Sequence, residues 1–515
     1  MTAILLGTGW EESEIGLPLT VSGQKHFLTL GEPGTGKSRS VGMPNLILQD
    51  CPMIISDISG EHVKNTAHWR AQMLGHEVRV LDSVGFIDDR DIPPGTDGTV
   101  QRACLNPIDF IRNSVSPELT TFNVCDSLIP ITGSNEAHWP DGAQGRVGGV
   151  TLFVAFDPVI DELHKLDPRY GRNMSTVWRF LSNPHDEKQS LEMMADSDND
   201  FVADQASAVL NAAKDNREMQ SIRNQIRVNL SKMFSIPGVL KSMDSTNIDF
   251  KSLVRDKVSI YNCIPGSMAP ILFRLLRLYF ALAFAEIEAA GVPDFNPDRP
   301  QIVALFDEVA ALKNFPPILY AMAFMRKYGL RLHLMAQNLG QLNSEWGKDF
   351  DSLMGNVGCL QYFGGTNSKF EADYLSALSG VETIVTTSVG QPQRPGDFGS
   401  YNEATTSRPI IMPDEIMRLP MPQQLIKISG QNVAYGRVLN PDLSDFPQYL
   451  AFMECLKAGY SPEVAKDAAH RFIPQEPPPM KIVPAKRAPR QRQQQKDRNG
   501  SFDSMLSKFM GHDQL

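Results

Sequence analysis

An α/β fold with a mostly parallel sheet, interrupted by an all-helical insertion, is what this sequence predicts, and three observations carry the prediction. Short apolar runs alternate with helical stretches over residues 1–110, as in a doubly wound parallel sheet buried on both faces. Between residues 111 and 245 such runs become scarce, and apolar residues recur at helical spacing, as in Ser207–Lys214 and Ile222–Leu230. From Val258 the apolar runs return, so the helical stretch separates two halves of one domain.

Composition bounds the rest. The 515 residues are 42% hydrophobic and 21% charged, ordinary for a globular chain with room for several cores. The formal charge of −10 argues against a wholly basic nucleic-acid binder but leaves local basic patches open. Six cysteines, none spaced as a metal knuckle or redox pair, read as buried thiols in a reducing compartment. The start lacks the basic region and apolar core of a signal peptide. Ile271–Ala290 is the most apolar stretch; Arg274, Arg277 and Glu286 interrupt it, so it reads as a buried amphipathic helix rather than a membrane span.

In chain order, His26–Leu30 is the first firm strand, and it runs into Gly31, Glu32, Pro33, Gly34, Thr35, Gly36, Lys37 and Ser38. That octet fits the phosphate-binding pattern of Gly, four residues, Gly-Lys-Ser. Glycines let backbone N–H groups turn inward, Lys37 neutralises the outer phosphates of a nucleoside triphosphate, and the Ser38 hydroxyl is placed for Mg2+. Arg39–Gln49 supplies the helix after the loop, and Arg39 completes the expected nucleotide-binding set. Pro52–Asp57 is the next strand, Glu61–Leu74 a helix stopped by Gly75, and Glu77–Leu81 a third strand; Cys104–Phe110 closes this section.

After the helical insertion the expected strands are Val258–Ile264, Gln301–Phe306, Leu330–Ala336, Val357–Phe363 and Gln424–Ser429. Pro316–Tyr328 is helical, and Thr387–Thr406, rich in Gly, Pro, Ser and Thr, reads as a mobile loop. Ser461 starts a short helix. From Pro474 the chain turns to Pro/Gln-rich low complexity carrying Lys481, Lys486, Arg487, Arg490, Arg492, Lys496 and Arg498. That tail reads either as a contact for nucleic acid or an anionic membrane, or as a solvated flexible end.

Hydrolysis needs more than a cradle. Ile302–Phe306 ends in Asp307 and Glu308, and a parallel strand holds such carboxylates at the same sheet edge as the phosphate loop. Asp307 is placed to orient the Mg2+ shell and Glu308 to polarise the attacking water. Gln337 ends the next strand, where an amide either contacts γ-phosphate and water or makes a plain loop contact. Arg326 reads equally as an arginine finger or a solvated helix-end cation. Asp57 and Glu61 either line the nucleotide site or, for Glu61, start a helix. His62, His68 and His76 lack metal-ligand spacing and read as ordinary.

The phosphate loop, Asp57–Glu61, Leu105–Asp109, Leu305–Glu308 and Gln337–Leu342 occur in an order that resembles the TraG-like coupling proteins of type IV secretion and conjugation systems, over residues 20–440. The resemblance implies a RecA-like P-loop ATPase carrying an all-helical insertion, with six copies forming a ring. Lys37, Glu308, Gln337 and Arg326 would be catalytic, Ser38 and Asp307 would hold Mg2+, and ATP would be the nucleotide. Expected partners are a DNA–relaxase complex or secreted effector proteins, channel ATPases and inner-membrane components, and single- or double-stranded DNA. The expected location is the bacterial cytoplasm, at the inner face of the cytoplasmic membrane. The family usually carries an N-terminal membrane hairpin where this chain has some 25 residues, which leaves a soluble variant, a partner's anchor or a truncated start. It also usually has Lys in place of Ser59.

The expected division is 1–110 and 246–450 for the two parts of the nucleotide-binding domain, 111–245 for the helical insertion, 451–474 for a short helical extension and 475–515 for the basic tail. Alternative readings are an FtsK-like DNA translocase and an ATP-binding cargo-receptor platform with little turnover.

Overall fold

The computed structural model describes residues 4–9, 18–21, 25–92, 100–131, 138–212, 217–292, 301–389 and 401–471. The basic tail, and the tip of the segment expected to be a mobile loop, lie outside them.

One 12-stranded sheet organises the chain. In spatial order its strands are Pro18–Val21, Ile4–Thr8, Ala434–Arg437, Gln423–Ile428, Val357–Phe363, His26–Leu30, Leu330–Ala336, Ile302–Phe306, Met53–Ile58, Val258–Ile264, Glu77–Leu81 and Val100–Ala103. From Val357–Phe363 to Val100–Ala103 all neighbours are parallel. The other end, outward from Gln423–Ile428, is antiparallel. The fold is therefore the expected RecA-like α/β sheet, with an antiparallel edge that includes strands near the N-terminus. Those short edge strands were not expected, because they carry little periodic signal.

Why the central runs are strands is plain from their burial. Every residue of His26–Leu30, Ile302–Phe306, Leu330–Ala336 and Val258–Ile264 is buried. Helix Glu61–Gln72 covers one face through Val63 and Ala67, against Ile55, Val78 and Val80. The other face packs helix Ala269–Ala289. A buried polar ladder crosses the antiparallel end: Thr29 Oγ1 donates to Gln361 Oε1 at 3.2 Å, and the Gln361 and Gln424 amides both donate to the Leu6 carbonyl, at 2.7 and 2.9 Å. Unmade, each such buried bond would cost about 1–3 kcal/mol, so the ladder fixes the register of the N-terminal strand.

Between Ala103 and Val258 the described residues form helices and connecting turns, from Pro107–Arg112 to Ser252–Arg255. Helix Ala269–Ala289 joins them to the sheet: Arg274 Nε donates to the Leu128 carbonyl at 3.1 Å, and its Nη2 to Asn229 Oδ1 at 2.7 Å. This helix is long and apolar enough to cross a membrane, yet it is two-thirds buried inside the protein. Among the described residues no other helix meets that length and apolarity.

Thr387–Thr406 departs from the expected loop. Val381–Val389 and Tyr401–Pro409 pair antiparallel, from Val381 opposite Pro409 to Val389 opposite Tyr401. Thr, Val and Ile at alternating positions favour the ladder over the turn residues at its centre. The C-terminal extension begins at Pro447, a few residues before the expected boundary, as helices Pro447–Lys457 and Pro462–His470. Tyr449 and Phe452 pack edge-on against Trp69, each with ring centroids 5.5 Å apart.

Candidate nucleotide-hydrolysis site

The phosphate loop leaves its strand at Gly31 and exposes Pro33 and Gly34 at its crest. Gly34 and Gly36 take φ of +82° and +85°, a region a side chain would strain, so the loop can aim N–H groups at one point. Thr35 Oγ1 donates to the Glu32 carbonyl at 2.7 Å and closes the loop. Lys37 Nζ folds back to donate to the Gly31 carbonyl and, at 3.3 Å, to that of Glu32. Burial lowers the Lys37 pKa, with Glu308 and Asp307 drawing it back up. Ser38–Gly42 forms a wide π turn before helix Met43–Leu48, and such turns recur at functional sites.

Strand Leu330–Ala336 lies between the loop's strand and Ile302–Phe306. Across that gap the Ser38 hydroxyl donates to Asp307 Oδ1 at 2.7 Å. Glu308 is beside them. Burial pushes its carboxyl up to about 7 despite Lys37, the Ala310 backbone and the Gln337 side chain, which all favour the charged form. Gln337 is half-buried at its strand end, and the start of helix Leu339–Trp346 fixes the backbone just beyond it. Asn338 Oδ1 accepts from the Gln341 N–H at 2.8 Å, and Glu371 Oε1 accepts from that of Leu339 at 3.0 Å. Nothing in the motif pattern singled out Glu371.

His62 is the larger omission. Its spacing marks it as ordinary, but its ring is wholly buried and Nε2 lies 3.2 Å from Asp307 Oδ1. Burial opposes its charge, yet Asp307, with Asp57 and Glu61 behind, outweighs that and pushes His62 up to about 9. Asp307 is correspondingly held low: burial raises it, and His62, Ser38 and Lys37 more than offset this. Spacing could not have found His62; sheet order could. Met53–Ile58 is the strand next to Ile302–Phe306, so the residues just after it stand at the same edge as Asp307.

The structure thus brings Lys37, Ser38, Asp307, Glu308 and Gln337 together. Arg39 turns aside, its Nε 2.7 Å from Glu61 Oε1. Asp57 lies behind the site, where its Oδ2 accepts from the Val63 N–H at 2.8 Å at the start of helix Glu61–Gln72. Arg326 is elsewhere in the chain. Its Nε is 3.2 Å from His26 Nε2, at the opposite end of the strand that leads into the loop, about 15 Å away at ~3.3 Å per residue.

Among the described residues no cluster of three or more His, Cys, Asp or Glu could hold a metal ion by itself. The Ser38–Asp307 pair instead fits Mg2+, which keeps most of its waters and takes one or two protein oxygens beside phosphates.

Known proteins resemble the chain in sequence and in fold. The family described as "Type IV secretory system Conjugative DNA transfer" matches residues 9–439. The conjugal transfer protein TraG of Escherichia coli is 24% identical over 485 residues, 85% of this chain and 70% of that protein. A shorter match, 31% identical over 131 residues and covering 24% of this chain and 20% of the relative, is to TraG of Rhizobium radiobacter. The solved conjugative coupling protein TrwBdeltaN70 superposes with a TM-score of 0.58 at 16% identity, covering 81% of this chain and 84% of the other. TrwB solved with ADP and Mg2+ gives 0.58 at 17% identity, with 81% and 86% covered. With the sheet order, the phosphate loop and a matched region spanning most of its length, this chain belongs to the type IV secretory system conjugative DNA transfer family of coupling proteins.

Proposed function

We propose that this chain hydrolyses ATP to deliver DNA–relaxase complexes or effector proteins to a type IV channel. The observation that carries the catalytic part is the Ser38–Asp307 hydrogen bond of 2.7 Å, which joins the phosphate loop to the strand bearing Glu308. Bound Mg2+, held by the Ser38 hydroxyl and through its waters by Asp307, would neutralise phosphate charge. Lys37 leaves the Gly31 and Glu32 carbonyls for the outer phosphates. Glu308, once ionised, accepts the proton of the attacking water, and Gln337 orients that water from the adjacent strand end. The ADP–Mg2+ and ADPNP complexes of TrwB support the choice of nucleotide and ion.

Arg326 stands a strand length from its own loop, so its catalytic reading requires a neighbouring subunit, in keeping with a hexameric ring at the inner face of the cytoplasmic membrane. Channel ATPases and inner-membrane components are its docking partners in this reading. Steady-state ATP hydrolysis with and without single-stranded DNA tests it: Lys37→Ala and Glu308→Gln should each abolish turnover, and Glu308→Gln alone should still bind ATP. Unchanged turnover in both variants would refute the catalytic assignment. Intact turnover that no cargo or DNA alters would refute the coupling role.

A further inference from the structure

The helices between Ala103 and Val258 contain a second polar feature with no part in hydrolysis. Arg146, on helix His138–Phe156, is 4% exposed, and neither of its Nη atoms makes a hydrogen bond. Two other deeply buried arginines, Arg70 and Arg277, are answered by backbone carbonyls. Arg70 donates to those of Leu46, Gln49 and Cys51, and Arg277 to those of Leu312 and Asn314. Among the described residues the carboxylate within 4.0 Å of Arg146 is that of Glu187, whose Oε1 is 4.0 Å from Nη2, beyond hydrogen-bond reach; that oxygen already accepts from Arg223 Nε at 3.2 Å.

Arg146 is one of the residues that line a pocket, whose walls also include Gln205, Glu187, Arg223, Ile222 and Ile226, with about 40 Å³ of free space. That is room for roughly three waters, or for one carboxylate with its attached carbon. A planar guanidinium with two free Nη atoms matches a carboxylate through paired N–H···O bonds. Two arginines against one glutamate leave a single positive charge, which suits a monoanion better than a phosphate. The aliphatic walls suit an amino-acid side chain, whereas a nucleic-acid backbone is met by several exposed cations.

We propose that this pocket is a carboxylate-recognition site for an incoming protein chain, with Arg146 as its anchor and Ile222 and Ile226 receiving the aliphatic part of the bound residue. The protein occupant rests on the coupling reading; the anion chemistry does not. The buried charge also explains an otherwise costly arrangement, since an unanswered guanidinium in an apolar setting is destabilising until an anion arrives. Burial, opposed by Glu187, draws its pKa down to about 10, so it remains charged at neutral pH.

The test uses the full chain and three dipeptide probes: N-acetyl-Leu-Glu amide, N-acetyl-Leu-Gln with a free C-terminus, and N-acetyl-Leu-Gln amide. Thermal unfolding is followed at constant ionic strength. At tenfold excess over Kd, at least one of the first two should raise the midpoint by about 1 °C, and the neutral amide should not. Which of the two acts distinguishes a side-chain from a terminal carboxylate. Arg146→Met should unfold no earlier than wild type without probe, yet lose at least tenfold in probe affinity, with Arg146→Lys intermediate. Equal affinity in Arg146→Met overturns the proposal. So does an earlier unfolding of that variant with binding intact, which would make Arg146 a structural partner of Glu187. Arg146-dependent binding of a single-stranded oligonucleotide without any peptide response overturns it in favour of phosphate. ATP binding measured in parallel separates these outcomes from a failure of the hydrolysis reading.

Discussion

Replacing His62 with Gln removes a charge while keeping an N–H donor for Asp307, and its effect can be worked from the geometry. The His62 pKa rises from 6.5 to about 9 because Asp307 lies 3.2 Å away, with Asp57 and Glu61 adding to it, and together they outweigh the cost of burial. At roughly 1.36 kcal/mol per pH unit, that difference is worth about 3 kcal/mol of folding stability. A folded-state pKa above the unfolded one means the folded chain holds the proton more tightly. The contribution is complete below pH 6.5 and is lost as pH rises through 9. The buried His26 and His76, lowered to about 4, act on the acid side of this window; the Glu308 carboxyl, raised to about 7, titrates at its start in both proteins, so the comparison with His62→Gln removes it to first order. Urea unfolding of the nucleotide-free protein at pH 6.5, 7.5, 8.5 and 9.5 is the assay. Wild type should lose about 3 kcal/mol across the series relative to His62→Gln. Parallel curves for the two proteins would refute the claim that the imidazolium neutralises Asp307.

Three further outcomes are expected. If Glu308 is the general base it acts only when ionised, so turnover should rise with pH through about 7, and Glu308→Gln should lower kcat by roughly 10²- to 10⁴-fold at pH 8 with nucleotide affinity retained, as fluorescent-nucleotide titration would read. Gly42→Ala places a Cβ 2.7 Å from His62 Cε1, so it should cost about 1–3 kcal/mol in urea unfolding, whereas Gly75→Ala, whose Cβ meets nothing, should cost about 1 kcal/mol or less from its positive φ. If Arg326 serves a neighbour's loop, mixing Arg326→Ala with Lys37→Ala subunits should restore part of the turnover that each lacks alone, and no recovery at any ratio would confine Arg326 to its contact with His26.

The central strands were legible because strands buried on both faces must be apolar throughout, and those runs coincide with the strands within a residue or so. Ser38 and Asp307 were legible as types, because glycines and terminal carboxylates have few other reasons to stand in that pattern. What sequence could not supply was adjacency between strands distant in the chain. His62 belongs to the site only because Met53–Ile58 pairs with Ile302–Phe306, a neighbour relation that no local spacing encodes. The same gap hid the hairpin of Val381–Val389 with Tyr401–Pro409, whose register depends on a partner rather than on a buried face. Arg326 was found by type, but its distance from its own loop turns on which edge of the sheet its helix returns to.

Helix Ala269–Ala289 is where these two levels meet. Phe280 packs at a tilt of 32° against Phe306 with ring centroids 4.2 Å apart, and Phe306 immediately precedes Asp307. Two turns earlier, Arg274 holds the Leu128 carbonyl and Asn229 of the helical insertion. Between them Arg277 donates to the Leu312 and Asn314 carbonyls, downstream of Glu308. Close-packed interiors move as units rather than yielding locally. A displacement at the end of strand Ile302–Phe306 would therefore press on Phe280, and the helix that carries Phe280 also carries Arg274. The insertion and the candidate nucleotide site share one hydrophobic cluster, so they are contiguous through this helix, even though more than a hundred residues of chain separate the strands on either side of the insertion.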